Sequence, residues 1–274
     1  MSSVAEELHG LRADDVHVGA QRWRVATRLP RSDPRPPLVL CNGIGANWQV
    51  FAPLLARLDD RPLVAFDVPG VGGSPPPAGP YRLRTLASDL LAVLDQLGVT
   101  TFDVLGVSWG GALAQQSAID SPARCRRMVL AATSAGLGSL PGRWSALRRL
   151  ADSRRFGDAG HAARVLPKVY GGQLRTNPEL LRNFLQSLRP PTRQGYELQM
   201  LSIAGWSSLW WLPLLRQPTL ILAGTDDPLV PRTNARILHR LIRHSELQWV
   251  DDGHLFLHTR AAEMALRIAA FLDR

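Results

Sequence analysis

The sequence offers little to several kinds of chemistry. It has two cysteines and, by count, one lysine, Lys168, in 274 residues. Cys41 and Cys125 can supply neither a disulfide framework nor a metal cluster, and read as two reduced thiols of a cytosolic protein. No apolar run approaches the roughly 18 residues of a membrane-spanning helix. The opening stretch Met1 to Asp15 holds Glu6, Glu7, Asp14 and Asp15 without a long apolar segment, so it reads as neither a signal nor a transit peptide. His254 and His258 are four residues apart, but no HExxH glutamate or further spaced ligand accompanies them. No metal and no organic cofactor are expected. Gly43-Ile44-Gly45 lacks the third glycine of a dinucleotide fingerprint, because Trp48 stands in that position. Gly70 to Ser74 lacks the lysine of a phosphate loop.

What is present begins with charge. Lys and Arg total 32 against 23 Asp and Glu, a net charge of +9. A basic chain raises the question of nucleic acid. The excess is local: residues 1–133 carry a net +1, residues 134–215 a net +7 and residues 216–274 a net +1. A nearly neutral frame with one basic insert, and no recognition motif, does not read as a nucleic-acid binder.

The frame alternates short apolar runs with helical spacing. Strands are expected at Val16–Gly19, Trp23–Arg28, Leu38–Cys41, Leu63–Phe66, Phe102–Leu105, Met128–Ala131, Thr219–Ala223 and Leu247–Val250. Helices are expected at Trp48–Leu58, Leu83–Leu97, Gly111–Ile119, Thr233–Leu241 and Arg260–Leu272. Residues 134–215 show no strand pattern and read as helical. The expected architecture is α/β: a mostly parallel eight-stranded sheet with helices on both faces and a helical cap inserted after the sixth strand. Core residues 1–133 and 216–274 would flank a cap of residues 134–215.

Gly106-Val107-Ser108-Trp109-Gly110 follows a strand and opens a helix, the context of a nucleophile elbow. Small residues flank the serine because that turn is sharp. The turn lifts the Ser108 hydroxyl clear of the sheet and leaves the Trp109 N–H at a helix N-terminus, where it can stabilise an oxyanion. A serine nucleophile needs a base, and the base an orienting acid. Asp226 and Asp227, in a turn just past the strand Thr219–Ala223, are both available; Asp227, three residues past Gly224, is preferred. His254 follows the last strand beside Gly253 and is well placed as the base. The loop Asn42 to Asn47 should supply the second oxyanion donor, the Ile44 N–H, with Asn42 fixing the loop and a candidate for binding substrate. Serine in the nucleophile position argues against a dehalogenase or epoxide hydrolase, which would use an aspartate.

Longer runs are more particular. Asn42 to Asn47, Ala65 to Ser74, Gly106 to Gln116 (GVSWGGALAQQ), Val129 to Gly136, Tyr170-Gly171-Gly172, Gln217 to Leu222 and Asp251 to Leu257 (DDGHLFL) resemble intracellular medium-chain-length poly(3-hydroxyalkanoate) depolymerases of the α/β-hydrolase superfamily. The chain departs from that pattern at Cys41 and Trp48, and the insert matches only at a few points. The resemblance implies a cytoplasmic, granule-associated serine esterase with the triad Ser108, Asp227 and His254. Its partner would be a hydrophobic ester or polyester, presented at a storage-granule surface, and its oligomeric state stays open. In the insert, Trp206 and Trp210 are candidates for lining an acyl channel or touching the polymer. The alternatives are a small-molecule hydrolase (carboxylesterase, lactonase, perhydrolase or carbon–carbon bond hydrolase) and a non-catalytic granule-binding protein.

Overall fold

The computed structural model describes residues 6–30, 32–58 and 60–274; the first five residues of the stretch read for targeting signals lie outside it. Among the described residues, nine strands form one sheet: β1 (Glu6–Leu8), β2 (Leu11–Val18), β3 (Gln21–Arg28), β4 (Leu38–Cys41), β5 (Leu63–Asp67), β6 (Phe102–Val107), β7 (Cys125–Ala131), β8 (Thr219–Gly224) and β9 (Ser245–Val250). Their order across the sheet is β1-β2-β3-β5-β4-β6-β7-β8-β9. Strands β1, β2, β3 and β5 pair antiparallel; from β5 to β9 every neighbouring pair is parallel.

The mostly parallel sheet is as expected, with one more strand. β1 is three residues long and pairs with β2 through the two-residue turn His9-Gly10, where both residues have positive φ (51° and 72°). Such a turn matches the twist of a hairpin. β2 begins at Leu11 rather than Val16, and the buried Leu11 and Ala13 alternate with exposed neighbours, the period of a half-buried strand. The helix expected over Trp48–Leu58 is a 3-10 turn, Trp48–Phe51, followed by a single helical turn, Ala52–Leu55.

Helices cover both faces. Val39 and Cys41 of β4 point into a core shared with the helices Leu83–Gln96, Trp109–Asp120 and Arg232–Leu241. Leu38 and Leu40 point into the opposite core, shared with the helix Ala261–Leu272 and the turn around Leu54. Burying a leucine or valine contributes about 1.5–3 kcal/mol, so the fully apolar run of β4 holds the sheet from both sides.

Residues between β7 and β8 form the helices Trp144–Ala151, Ala159–Tyr170, Gln173–Thr176, Pro178–Ser187 and Arg193–Ile203. Counting β1, the insertion follows the seventh strand. Local chemistry starts these helices. The Asn177 carboxamide oxygen accepts the N–H groups of Glu179 (3.0 Å) and Leu180 (3.2 Å), with Pro178 opening the helix. The Thr192 hydroxyl accepts from the Gly195 N–H at 3.0 Å. Gly195 lies against the core loop, and a Cβ there would meet the Gly70 carbonyl oxygen at 2.3 Å. The Thr192 N–H donates to that carbonyl at 3.0 Å. The insertion is therefore locked onto the sheet's C-terminal edge by backbone-to-backbone contact.

Candidate active site

Ser108 links β6 to the helix Trp109–Asp120, with φ 55° and ψ −121°. A side-chain-bearing residue held at positive φ is strained. The surroundings impose that conformation. A Cβ on Gly106 would lie 2.4 Å from the Gly110 carbonyl oxygen, and one on Gly111 would lie 2.4 Å from the Thr133 hydroxyl. The helix thus packs against the strand it follows so closely that only glycine fits. Two hydrogen bonds fasten the Ser108 carbonyl: the Gly111 N–H donates at 2.9 Å and the Thr133 hydroxyl at 2.6 Å.

The loop after β4 packs on the same turn. A Cβ on Gly43 would lie 3.6 Å from the Ser108 Cβ, and one on Gly110 would meet the Asn42 carbonyl at 2.4 Å. Asn42 lines the Ser108 cavity, and its carboxamide donates to the Asn47 carbonyl, bracing the loop. Ile44 lines the cavity beside Ser108, and Trp109 begins the helix with its N–H free of any preceding turn. The insertion also grips the surroundings of Ile44 and Trp109. The Gln199 carboxamide oxygen accepts the Gly45 N–H at 2.8 Å, and its backbone carbonyl accepts the Trp109 indole N–H at 3.1 Å. Gln199 was invisible in sequence as a functional residue; only the fold brings the helix Arg193–Ile203 over this loop.

On the other side of Ser108, His254 and Asp227 meet at 2.7 Å between Nδ1 and Oδ2, with side chains 3% and 2% exposed. An ionised carboxylate only accepts, so this contact fits the tautomer with its hydrogen on Nδ1, which leaves Nε2 with a free lone pair. The second Asp227 oxygen accepts the N–H groups of Leu229 (2.8 Å) and Val230 (3.0 Å). Asp226 turns away: it accepts the Gly172 N–H at 3.0 Å and faces Arg175 at 3.1 Å. Of the two available carboxylates, Asp227 is the one that meets the histidine.

The histidine loop is held by the insertion. The His254 N–H donates to the Tyr170 carbonyl at 2.7 Å, and the two rings stack with centroids 5.9 Å apart. Asp252 accepts the Gln173 N–H and the Gly253 N–H, each at 2.7 Å, and the Thr259 hydroxyl at 2.5 Å. The run Tyr170-Gly171-Gly172 is thereby explained: a Cβ on Gly172 would lie 2.0 Å from the Gly253 nitrogen.

Ser108 and His254 open into one cavity, walled by apolar groups such as Phe51, Leu166, Phe184 and Leu257, with Arg155 and His258 among its few polar members. Burial keeps His258 below the ordinary histidine range, and its Nδ1 lies 3.3 Å from the Val50 carbonyl. A second cavity reaches Ser108 past Trp109, Thr133, Met200 and Val230. Trp206 and Trp210, expected to line an acyl channel or to touch the polymer, border neither of these two cavities. The Trp206 indole N–H donates to Gln116 at 2.8 Å, which turns the ring toward the helix Trp109–Asp120 and a separate surface groove. Trp210 is 86% exposed. Among the described residues, no helix is long and apolar enough to cross a membrane.

Comparison with known proteins agrees with this geometry. Residues 36–261 match the family described as alpha/beta hydrolase fold. The chain is 45% identical to a poly(3-hydroxyalkanoate) depolymerase of Ectopseudomonas oleovorans, over 94% of this chain and 92% of that one. It is 28% identical to 3-oxoadipate enol-lactonase 2 of Acinetobacter baylyi, over 81% of this chain and 82% of that one. Among solved structures, an enol-lactonase from Burkholderia xenovorans superposes with a TM-score of 0.83 at 24% identity, covering 95% of this chain and 100% of that one. The chain belongs to the alpha/beta hydrolase family.

Proposed function

We propose that the protein is a serine esterase that cleaves medium-chain-length poly(3-hydroxyalkanoate) or related 3-hydroxyacyl esters through an acyl-enzyme. The observation that carries this reading is the 45% identity, across nearly both full lengths, to a protein named poly(3-hydroxyalkanoate) depolymerase. The site supports it chemically. His254 takes the proton of Ser108 as its oxygen attacks the ester carbonyl. The N–H groups of Ile44 and Trp109 hold the oxyanion. Asp227 keeps the imidazole in the right tautomer and stabilises the imidazolium. The imidazolium then protonates the leaving ester oxygen, which becomes the product's 3-hydroxyl, and a water activated by His254 frees the acyl group. Residues 134–215 act as a cap that shapes the apolar cavity, on a core of residues 1–133 and 216–274. The protein works in the cytoplasm at the surface of polyester granules.

The 28% relative named an enol-lactonase keeps one competitor in view, a small-molecule hydrolase. Two measurements test the reading. A fluorophosphonate probe should label folded wild type and not Ser108→Ala; absence of labelling would remove the serine-enzyme reading. Octanoate and decanoate esters should then be hydrolysed faster than acetate esters, enol-lactones or dienoic ring-fission acids. The reverse order would favour the small-molecule hydrolase.

A further inference from the structure

Arg155 lies in the 3-10 turn Ser153–Phe156, is 4% exposed, and lines the cavity that holds Ser108 and His254. It is the one buried cation among the described residues of the basic segment 134–215. The other buried arginine among the described residues, Arg61, has the Asp273 carboxylate as its ion-pair partner. No carboxylate lies within ion-pair distance of Arg155 among the described residues. Asp152, three residues away, directs its side chain to Arg154 and His161.

Arg155 is held by neutral groups only. Nη1 donates to the carbonyls of Leu150 and, at 3.1 Å, Asp152, and Nη2 donates to the Tyr196 hydroxyl at 2.9 Å. The guanidinium carbon lies 4.2 Å from the Phe156 ring centroid and 5.0 Å from that of Tyr196. These contacts orient the planar group without neutralising it. A buried charge is costly unless a counter-charge meets it. The carbonyls of Leu150 and Asp152, at the end of the helix Trp144–Ala151, meet that charge in part; a carboxylate entering the cavity would supply a full counter-charge, and a guanidinium fork fits it.

We infer that Arg155 forms a carboxylate subsite for the free carboxyl terminus of a 3-hydroxyacyl chain, so that hydrolysis proceeds from that end. This rests on the esterase reading above. The terminal unit is the leaving group. The bond between the acyl carbon and the ester oxygen breaks, the 3-hydroxyl of the terminal unit takes its proton from His254, and its carboxylate stays on Arg155. The shortened chain remains on Ser108 until water releases it, exposing a new carboxyl terminus. The second cavity at Ser108, past the half-exposed Met200, gives the rest of the chain a path outward.

The test uses the linear dimer of 3-hydroxyoctanoate as the free acid and as its methyl ester. Wild type should favour the acid by roughly tenfold or more in kcat/KM, the scale of a hydrogen bond to a charged group. In Arg155→Gln that ratio should fall to near one, mainly through a higher KM for the acid. Tyr196→Phe, which keeps the charge but loosens its orientation, should give an intermediate ratio. If Arg155→Gln does not fold, inhibition of wild type by 3-hydroxyoctanoate and by its methyl ester replaces it; the acid should inhibit at tenfold lower concentration. Equal hydrolysis of both dimers by wild type, or equal inhibition, would overturn the subsite and leave the esterase intact. Hydrolysis of neither dimer would overturn the esterase reading as well.

Discussion

Replacing Asp227 by asparagine isolates one atom of the proposed machinery. The native carboxylate receives three hydrogen bonds, from His254 Nδ1 at 2.7 Å and from the N–H groups of Leu229 and Val230. The asparagine oxygen can keep both backbone donors, which directs its NH2 at His254. Two donors then face each other, and the imidazole relieves the clash by moving its proton to Nε2. The nitrogen meant to accept the Ser108 proton is then occupied. Loss of the working tautomer in a serine hydrolase costs about 10⁴ in kcat, near 5.5 kcal/mol at about 1.4 kcal/mol per tenfold. The neighbour provides the control. The Asp226 side chain is partly exposed and, among the described residues, bonds to the Gly172 N–H and Arg175, so Asp226→Asn should cost less than about tenfold. The assay is hydrolysis of p-nitrophenyl octanoate, with thermal unfolding to show that both variants fold. An Asp227→Asn protein retaining a tenth of wild-type kcat, or a larger loss in Asp226→Asn, would refute the assignment.

Other outcomes follow from the same contacts. In Gly253→Ala the new methyl group would lie 2.2 Å from the Tyr170 carbonyl, which also accepts the His254 N–H; kcat should fall about 100-fold and stability by about 1–3 kcal/mol, read by kinetics and urea unfolding. Gln199→Ala leaves the Gly45 N–H without its acceptor, so stability should drop by about 1–3 kcal/mol and kcat by about tenfold; unchanged kinetics would release the cap from any part in shaping the oxyanion loop. Because burial lowers the His258 pKa below its ordinary 6.5, the folded state binds fewer protons than the unfolded one. Its stability contribution is complete above about pH 6.5 and is lost as the pH falls through the lowered folded value. Urea midpoints should therefore decline below that pH in wild type, and less steeply in His258→Gln. Burial pushes the Cys41 and Cys125 thiols far up; neither should react with a disulfide reagent at pH 8 in the native state, while both should react in urea.

The legible parts of this site were those whose chemistry demands a local pattern. Gly106, Gly110 and Gly111 are required by close approach of strand, helix and β4 loop, so the elbow announced itself. Asp227 and His254 sit in turns directly after β8 and β9, where strand periodicity could place them. What stayed hidden depends on which face a residue presents. Trp206 and Trp210 form an aromatic cluster in sequence, but a hydrogen bond to Gln116 orients the first and solvent surrounds the second. Arg155 is one of eleven basic residues in its segment by count, and only packing sets it apart. β1 is three residues long, too short for periodicity to reveal; its pairing rests on the His9-Gly10 turn.

The central claim is that Ser108 cleaves medium-chain polyester. Its most direct measurement is the release of 3-hydroxy acids from a dispersion of medium-chain-length poly(3-hydroxyalkanoate), with a short-chain polymer dispersion alongside. Wild type should release acids from the medium-chain polymer in preference to the short-chain one, and Ser108→Ala should release none above background. Wild type that hydrolyses short esters rapidly but leaves the medium-chain dispersion intact would contradict the account.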